Sequence, residues 1–272
     1  MYGYVLLGMM MFGRSSSLLR LGAGCAAGGA LIAAGALASP TQTLASPAQM
    51  FAADDRKRVL VTGANKGIGL AISKGLLSQG CHVFLGSRDV GRGEAAKNAL
   101  IAANPEFKGR IDVVALDVTQ DASVTLAAKA VAAKCSGARL HAIVNNAGGA
   151  APGVGTLPEF KAWVDLNLYG PKRVTEAFLP QLETSGGRVV MISSAAGPVF
   201  VSKCSEANRA KLTSEKVTWA TIEGVVSDAF TVLDTVPEPD EKAREAAFKA
   251  AGFGNGYYGL SKACKLAAAD DC

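Results

Sequence analysis

The stretch Arg58-Val59-Leu60-Val61-Thr62-Gly63-Ala64-Asn65-Lys66-Gly67-Ile68-Gly69 decides the fold. Its apolar start reads as a short buried strand, and the residues after it read as a helix over 70–79, ended by Gly80. Between strand and helix the three glycines have different physical tasks. Gly63 permits a tight turn, Gly67 lets the backbone approach a pyrophosphate, and Gly69 lets the helix pack close to the strand. The helix N-terminus then offers unpaired N–H groups and a partial positive charge to the phosphates. A glycine triplet alone is a common turn signal; framed by a strand and a helix it reads as a phosphate cradle.

Outward from this stretch the chain keeps the same alternation. Apolar runs at 82–85, 111–116, 142–144 and 188–192 read as further strands, with helices expected over 94–103, 122–133 and 160–182. Asn104-Pro105 stops the second helix, because proline excludes its predecessor from helical geometry. Strands this uniformly apolar are buried on both faces, as in a parallel sheet covered by helices on each side. The expected fold is α/β, a Rossmann-type doubly wound parallel sheet, in a domain over residues 54–272.

Composition removes several function classes. The 272 residues are 49% hydrophobic and carry a net charge of +5, with the basic residues scattered rather than gathered in a stripe. That disfavours nucleic-acid binding, while mild attraction for an anionic cofactor accounts for the charge. The six cysteines, Cys25, Cys81, Cys135, Cys204, Cys264 and Cys272, form no C-x-x-C pair and read as reduced, mostly buried thiols. The two histidines, His82 and His141, fall in expected strands. No metal site is expected, since catalytic zinc needs three clustered protein ligands.

Residues 1–53 contain no acidic residue. An apolar start, Arg14-Ser15-Ser16-Ser17, a charge-free run over 21–38 and a Ser/Pro/Thr-rich piece follow one another. Such composition is that of a targeting leader, and Ala36-Leu37-Ala38 resembles a small-residue cleavage site. Residues 18–38 are also long enough to contact or span a membrane. The segment is therefore expected to lie outside the fold, as an organelle or secretory leader, a membrane anchor or an over-extended start, with the compartment left open.

The spacing T-G-x-x-x-G-x-G, followed by Leu116-Asp117-Val118 and Asn145-Asn146-Ala147-Gly148, resembles the short-chain dehydrogenase/reductase family. By that resemblance Asp117 and Val118 lie near an adenine, and N-N-A-G steadies the central sheet and lines the cofactor. The cofactor-binding residues are then expected to be Gly63, Asn65, Lys66, Gly67, Ile68, Gly69, Ser87, Arg88, Asp117, Val118, Asn146, Tyr258 and Lys262. Enzymes that prefer NAD place an acid at the end of the second strand to bind the ribose 2′-hydroxyl. Here Ser87 takes that place, Arg88 follows, and Lys66 lies in the glycine loop. Two cations without that carboxylate favour a 2′-phosphate, so the expected cofactor is NADP(H).

Tyr258-Gly259-Leu260-Ser261-Lys262 puts a phenol and an ammonium on one helix face. A phenol, with a reference pKa of about 10, is a poor acid–base catalyst until a nearby cation favours its phenolate. Ser194, at the end of the 188–192 strand, and Asn167, in Asp165-Leu166-Asn167-Leu168, complete what resembles the family's tetrad. The resemblance implies that Tyr258 protonates a carbonyl oxygen while the nicotinamide reduces its carbon. It gives Lys262 the ribose and the acidification of Tyr258, Ser194 the developing alkoxide, and Asn167 a proton-relay water.

The long gap between Ser194 and Tyr258 holds helical stretches expected at 205–212, 221–233 and 241–251 around Pro237-Glu238-Pro239-Asp240. This insertion, at about 198–256, together with S-R-D-V-x-R-G and Y-G-x-S-K, resembles the carbonyl reductase (NADPH) branch of the family. It implies a monomer acting on small-molecule carbonyl substrates: ketones, aldehydes and quinones. The family pattern continues past the Tyr-x-x-x-Lys helix, whereas this sequence reaches Cys272. The expectation is a sheet truncated after that helix, with a bare edge. The second reading is a truncated, catalytically weak or inactive nucleotide-binding product of the same family.

Overall fold

A computed structural model of the chain describes residues 3–7 as backbone, and residues 56–149, 156–236, 240–254 and 256–268 in full. Its strands are β1 (Gly3–Leu7), β2 (Arg58–Val61), β3 (His82–Ser87), β4 (Ile111–Ala115), β5 (Ala142–Asn145) and β6 (Arg188–Ile192). They form one sheet in the order β1-β6-β5-β2-β3-β4, every neighbouring pair parallel. From β2 the chain winds outward to β3 and β4, then returns to β5 and winds the other way. The reversal leaves a crevice beyond the C-terminal ends of β2 and β5, which is where such sheets bind ligands.

Period-two alternation sorts the strand side chains between two cores. Val59, Val61, Val83 and Leu85 pack with Leu77 of α1 (Gly67–Ser78) and with Ala96 and Leu100 of α2 (Val90–Ala103). Leu60, Phe84 and Ile143 point the other way. They meet Val124 and Val131 of α3 (Asp121–Cys135), and Val174 and Phe178 of α5 (Gly170–Phe178). Both faces are covered, as parallel strands require.

Two expectations are corrected here. Residues 1–53 were expected outside the fold and the far edge of β6 bare. Gly3–Leu7 instead pairs with β6 from Gly3↔Arg188 to Leu7↔Ile192. A parallel edge presents unpaired N–H and C=O groups, and a short strand placed there satisfies them. The remainder of the expected leader, 18–38 included, lies outside the described residues. Among the described residues no helix is long and apolar enough to cross a membrane.

The single helix expected over 160–182 is divided. Following the Thr156–Glu159 capping box, α4 (Leu157–Val164) gives way to a π-helical turn, Asp165–Tyr169, before α5 and a 3-10 turn at Leu179–Gln181. Proline has no N–H, so Pro171 cannot close the α-helical bond to the carbonyl of Asn167, and the ladder widens at that point. The Gly170 N–H instead reaches the carbonyl of Asp165.

The inserted segment builds a third core. Its helices are α6 (Ala196–Ser202), α7 (Glu206–Thr213), α8 (Trp219–Asp234) and α9 (Glu241–Ala250), and α10 (Tyr257–Ala267) follows. Ser205, Thr218 and Asp240 cap three of them through their side-chain oxygens. Phe200, Ile222, Val225, Phe248 and Phe253 close with Phe160 of α4 and Leu260 of α10. Phe160 lies edge-on to Phe230 at 5.2 Å, so α8 covers α4. Cys81, Cys135, Cys204 and Cys264 are free and buried.

Candidate active site

Thr62, at the end of β2, starts the site. Its Oγ1 donates to the carbonyl of Val144 at 3.4 Å and accepts from the N–H groups of Asn146 (3.0 Å) and Ala147 (2.9 Å). Asn146 answers by donating from Nδ2 to the carbonyls of Thr62 (2.9 Å) and Gly63 (3.1 Å). The glycine loop and the turn after β5 are thus one hydrogen-bonded unit. Gly63 and Gly67 have φ of +61° and +56°, a left-handed geometry that favours glycine. At Gly69 a Cβ would lie 2.4 Å from Asn146 Nδ2 and 2.5 Å from the Gly63 carbonyl oxygen. Lys66 precedes α1 without a side-chain cap, and the first turn has no acidic residue. The first N–H groups of α1 are therefore free to meet an anion.

A cleft of about 600 Å³ runs across this unit. All thirteen expected cofactor residues line it: the loop residues Gly63, Asn65, Lys66, Gly67, Ile68 and Gly69, then Ser87, Arg88, Asp117, Val118, Asn146, Tyr258 and Lys262. At the β3 end, Ser87 Oγ donates to the Asp89 carbonyl at 2.7 Å. The Asp89 carboxylate caps α2 by accepting from Arg92 N–H at 2.9 Å and pairs with Arg92 Nε at 3.2 Å. Asp117 Oδ1 accepts from the N–H and hydroxyl of Thr119 at 3.0 and 2.7 Å, which fixes the turn before α3. Among the described residues no group of His, Cys, Asp and Glu could hold a metal ion.

The opposite end is formed by α10, the turn after β5 and α4. Tyr258 and Lys262 both face the cleft, with Lys262 Nζ 5.3 Å from the centre of the Tyr258 ring. Burial pushes the Lys262 ammonium down to about 8. Asn167, fully buried at the π turn, accepts from Gly149 N–H at 3.1 Å and donates to the Gly149 carbonyl at 2.9 Å. Its Nδ2 also reaches Ser261 Oγ at 3.3 Å, and Ser261 donates to the Tyr258 carbonyl at 2.9 Å. Asn167 therefore stands behind the cleft wall, tying the turn after β5 to α10.

Ser194, half-buried, is not itself among the residues that line the cleft. Its Oγ accepts from Ala196 N–H at 3.2 Å at the start of α6, and Ser193 lines the cleft instead. The Ser193 hydroxyl is buried and has no hydrogen-bond partner. Sequence reasoning missed Arg92 and Trp163, which also line the cleft. Both carried a signal: Arg92 is one helical turn past Arg88, and Trp163 is one turn before Asn167. A Cβ on Gly149 would lie 2.7 Å from the Trp163 ring, so this glycine makes room for the indole.

A doubly wound sheet with an uncapped glycine-loop helix at its reversal point defines a nucleotide-binding α/β domain. More particularly, the chain belongs to the short chain dehydrogenase family, whose sequence pattern matches residues 57–208. The carbonyl reductase (NADPH) 1 of Rattus norvegicus is 30% identical over 220 residues, covering 77% of this chain and 71% of that protein. The (+)-neomenthol dehydrogenase of Arabidopsis thaliana is 34% identical over 168 residues, 54% of this chain and 56% of that one. Among solved structures, a menthone neomenthol reductase from Mentha piperita superimposes with a TM-score of 0.66 at 30% identity, covering 79% of this chain and 84% of that chain. The chain spans about half the length of several curated relatives it matches.

Proposed function

We propose that this chain binds NADPH and reduces carbonyl compounds (ketones, aldehydes or quinones) to alcohols. One observation carries the reading: Tyr258 and Lys262 open into the same cleft as the uncapped N-terminus of α1. A dinucleotide fits the groups present. The free N–H groups suit its pyrophosphate, the bare backbone at Gly67, with nothing within 4 Å of an added Cβ, leaves room for close approach, and the volume suits an extended ligand. The chemistry a bound reduced nicotinamide would supply is two electrons and one hydrogen nucleus to the carbonyl carbon.

The residues of the chain do the rest. Tyr258 hydrogen-bonds the carbonyl oxygen and gives it a proton as negative charge develops there. Lys262, held in low dielectric beside the ring, favours the phenolate left behind and binds the nicotinamide ribose. Asn167 keeps Gly149 and α10 in register. Trp163 and Leu166 give the substrate end an apolar wall.

The preference for the 2′-phosphate rests on Lys66, Arg88 and Arg92 at the β3 end. Asp89, the acid nearest that point, is already committed to capping α2 and to Arg92. We also infer a monomer, as the resemblance to the carbonyl reductase branch implies, with helix α8 of the inserted segment covering α4. The second reading is slow turnover with intact dinucleotide binding. Steady-state assays of the purified chain with NADPH and NADH, across quinones, aromatic aldehydes and cyclic ketones, decide between them. Oxidation of NADPH faster than of NADH supports the reductase; binding without oxidation supports the second reading.

A further inference from the structure

The face of α10 that carries Tyr258 and Lys262 carries a third polar residue, Lys265, so the three stand at i, i+4 and i+7. Lys265 is only 1% exposed. Its Nζ donates to the carbonyl of Asn145 at 3.1 Å and to that of Ile192 at 3.1 Å. These are the last residues of β5 and β6. The two strands pair as far as Asn145↔Met191, and beyond that point they separate. Asn146 to Gly149 leaves one strand and Ser193 leaves the other, and both line the cleft.

A helix packed on a sheet fills such a position most cheaply with an apolar side chain. Burying an ammonium there is costly, and among the described residues Lys265 has no carboxylate beside it. The two carbonyls explain its presence. Where a parallel ladder ends inside the protein, its last C=O groups lose their partners, and each is expensive to bury unpaired. Lys265 satisfies both at once and joins both strand ends to the helix that holds Tyr258. Polar groups beside them stay unmet, since Asn145 Oδ1 and Ser193 Oγ are buried without partners.

We propose that Lys265 is a positioning residue: it pins the separating ends of β5 and β6 to the Tyr258–Lys262 helix. In doing so it sets the width of the cleft where the substrate carbonyl and nicotinamide meet. The inference rests on the reductase reading for its effect on turnover, and on geometry alone for its effect on the strand ends.

Lys265→Met keeps the chain length and removes every donor. In the full chain it lowers kcat on the order of tenfold or more by loosening the reacting geometry. The Kd of NADPH stays within about threefold, because the phosphate and adenine ends rest on β2 and β3. The fluorescence of the bound reduced nicotinamide reads the same point without turnover, and its enhancement on binding falls in the variant. Lys265→Gln, which keeps two N–H donors and drops the charge, recovers part of both signals. Hydrogen exchange followed by mass spectrometry needs no cofactor: Lys265→Met speeds exchange at 146–149 and 193–194 and leaves 63–69 unchanged. A wild-type chain that binds no NADPH sinks the reductase reading, and the exchange result then decides this one. Wild-type kcat, fluorescence and exchange in Lys265→Met overturn the proposal. So does a fall in kcat matched by equal losses of NADPH affinity and melting temperature, which marks a packing role only.

Discussion

Two glycines on α1 predict opposite outcomes for the same substitution. At Gly69 an alanine Cβ would sit 2.4 Å from Asn146 Nδ2, 2.5 Å from the Gly63 carbonyl oxygen and 2.9 Å from Ala64 Cα. Two of these are backbone atoms of the turn, so relief must come from moving the loop or expelling Asn146. Expelling Asn146 breaks its bonds to Thr62 and Gly63, worth about 1 kcal/mol each. Overpacking adds about 1–3 kcal/mol, and the better helix propensity of alanine returns about 1 kcal/mol. Gly69→Ala should therefore destabilise by about 3 kcal/mol, lowering Tm by about 6–12 °C for a domain of this size. Gly75, on the same helix, has nothing within 4 Å of an added Cβ. Gly75→Ala should stabilise by about 1 kcal/mol and raise Tm by about 2–4 °C. Scanning calorimetry of both variants, with dinucleotide titrations, reads the difference. Gly69→Ala also loses cofactor affinity and Gly75→Ala keeps it. A Gly69→Ala protein as stable as wild type would falsify the close-packed loop.

Two further predictions concern charge. Burial lowers the ammonium of Lys265 to about 7, with Lys262 adding to the effect, and lowers that of Lys262 to about 8. Between about pH 7 and 10 the unfolded chain binds more protons on these two lysines than the folded one, so stability rises with pH over that window. Above it, burial of Cys264 and Tyr257, both pushed up to about 12, turns the trend downward. Urea midpoints from pH 6 to 10 should rise above pH 7; a monotonic fall from pH 7 contradicts two buried lysines. At the other end of the cleft, Arg88→Ala combined with Arg92→Ala should weaken NADPH on the order of tenfold or more and leave NADH nearly unchanged. Equal loss for the two cofactors argues against a 2′-phosphate site there.

The sheet was legible because each strand from β2 to β6 is a local apolar run, and the glycine loop because its three tasks need glycine at fixed spacing. Part of what escaped depends on contacts distant in sequence, and part on single backbone groups that periodicity does not register. Gly3–Leu7 is an apolar run like the others, but it lies in a segment whose acid-poor composition reads as a leader, and only the β6 edge it meets marks it as a strand of the sheet. The π turn follows from one missing N–H at Pro171, which a periodicity count treats as a tolerable residue. Helix α6 contains Gly197, Pro198 and two valines, a weak helical stretch kept by packing of Phe200 in the inserted core. Lysine at 265 reads as a solvated charge until the ends of two strands are seen beneath it. The serine pair shows the same limit: adjacent hydroxyls are equivalent in sequence, and the turn into α6 decides which one lines the cleft.

Proton delivery by Tyr258 is the point on which the reductase account stands. Single-turnover oxidation of bound NADPH by a reactive quinone or aldehyde, in wild type and in Tyr258→Phe, measures it most directly. Removal of the phenolic hydroxyl should slow that step by on the order of 100-fold or more while NADPH binding stays at its wild-type strength. An undiminished rate in Tyr258→Phe would show that the proton comes from elsewhere and remove this residue from the chemistry.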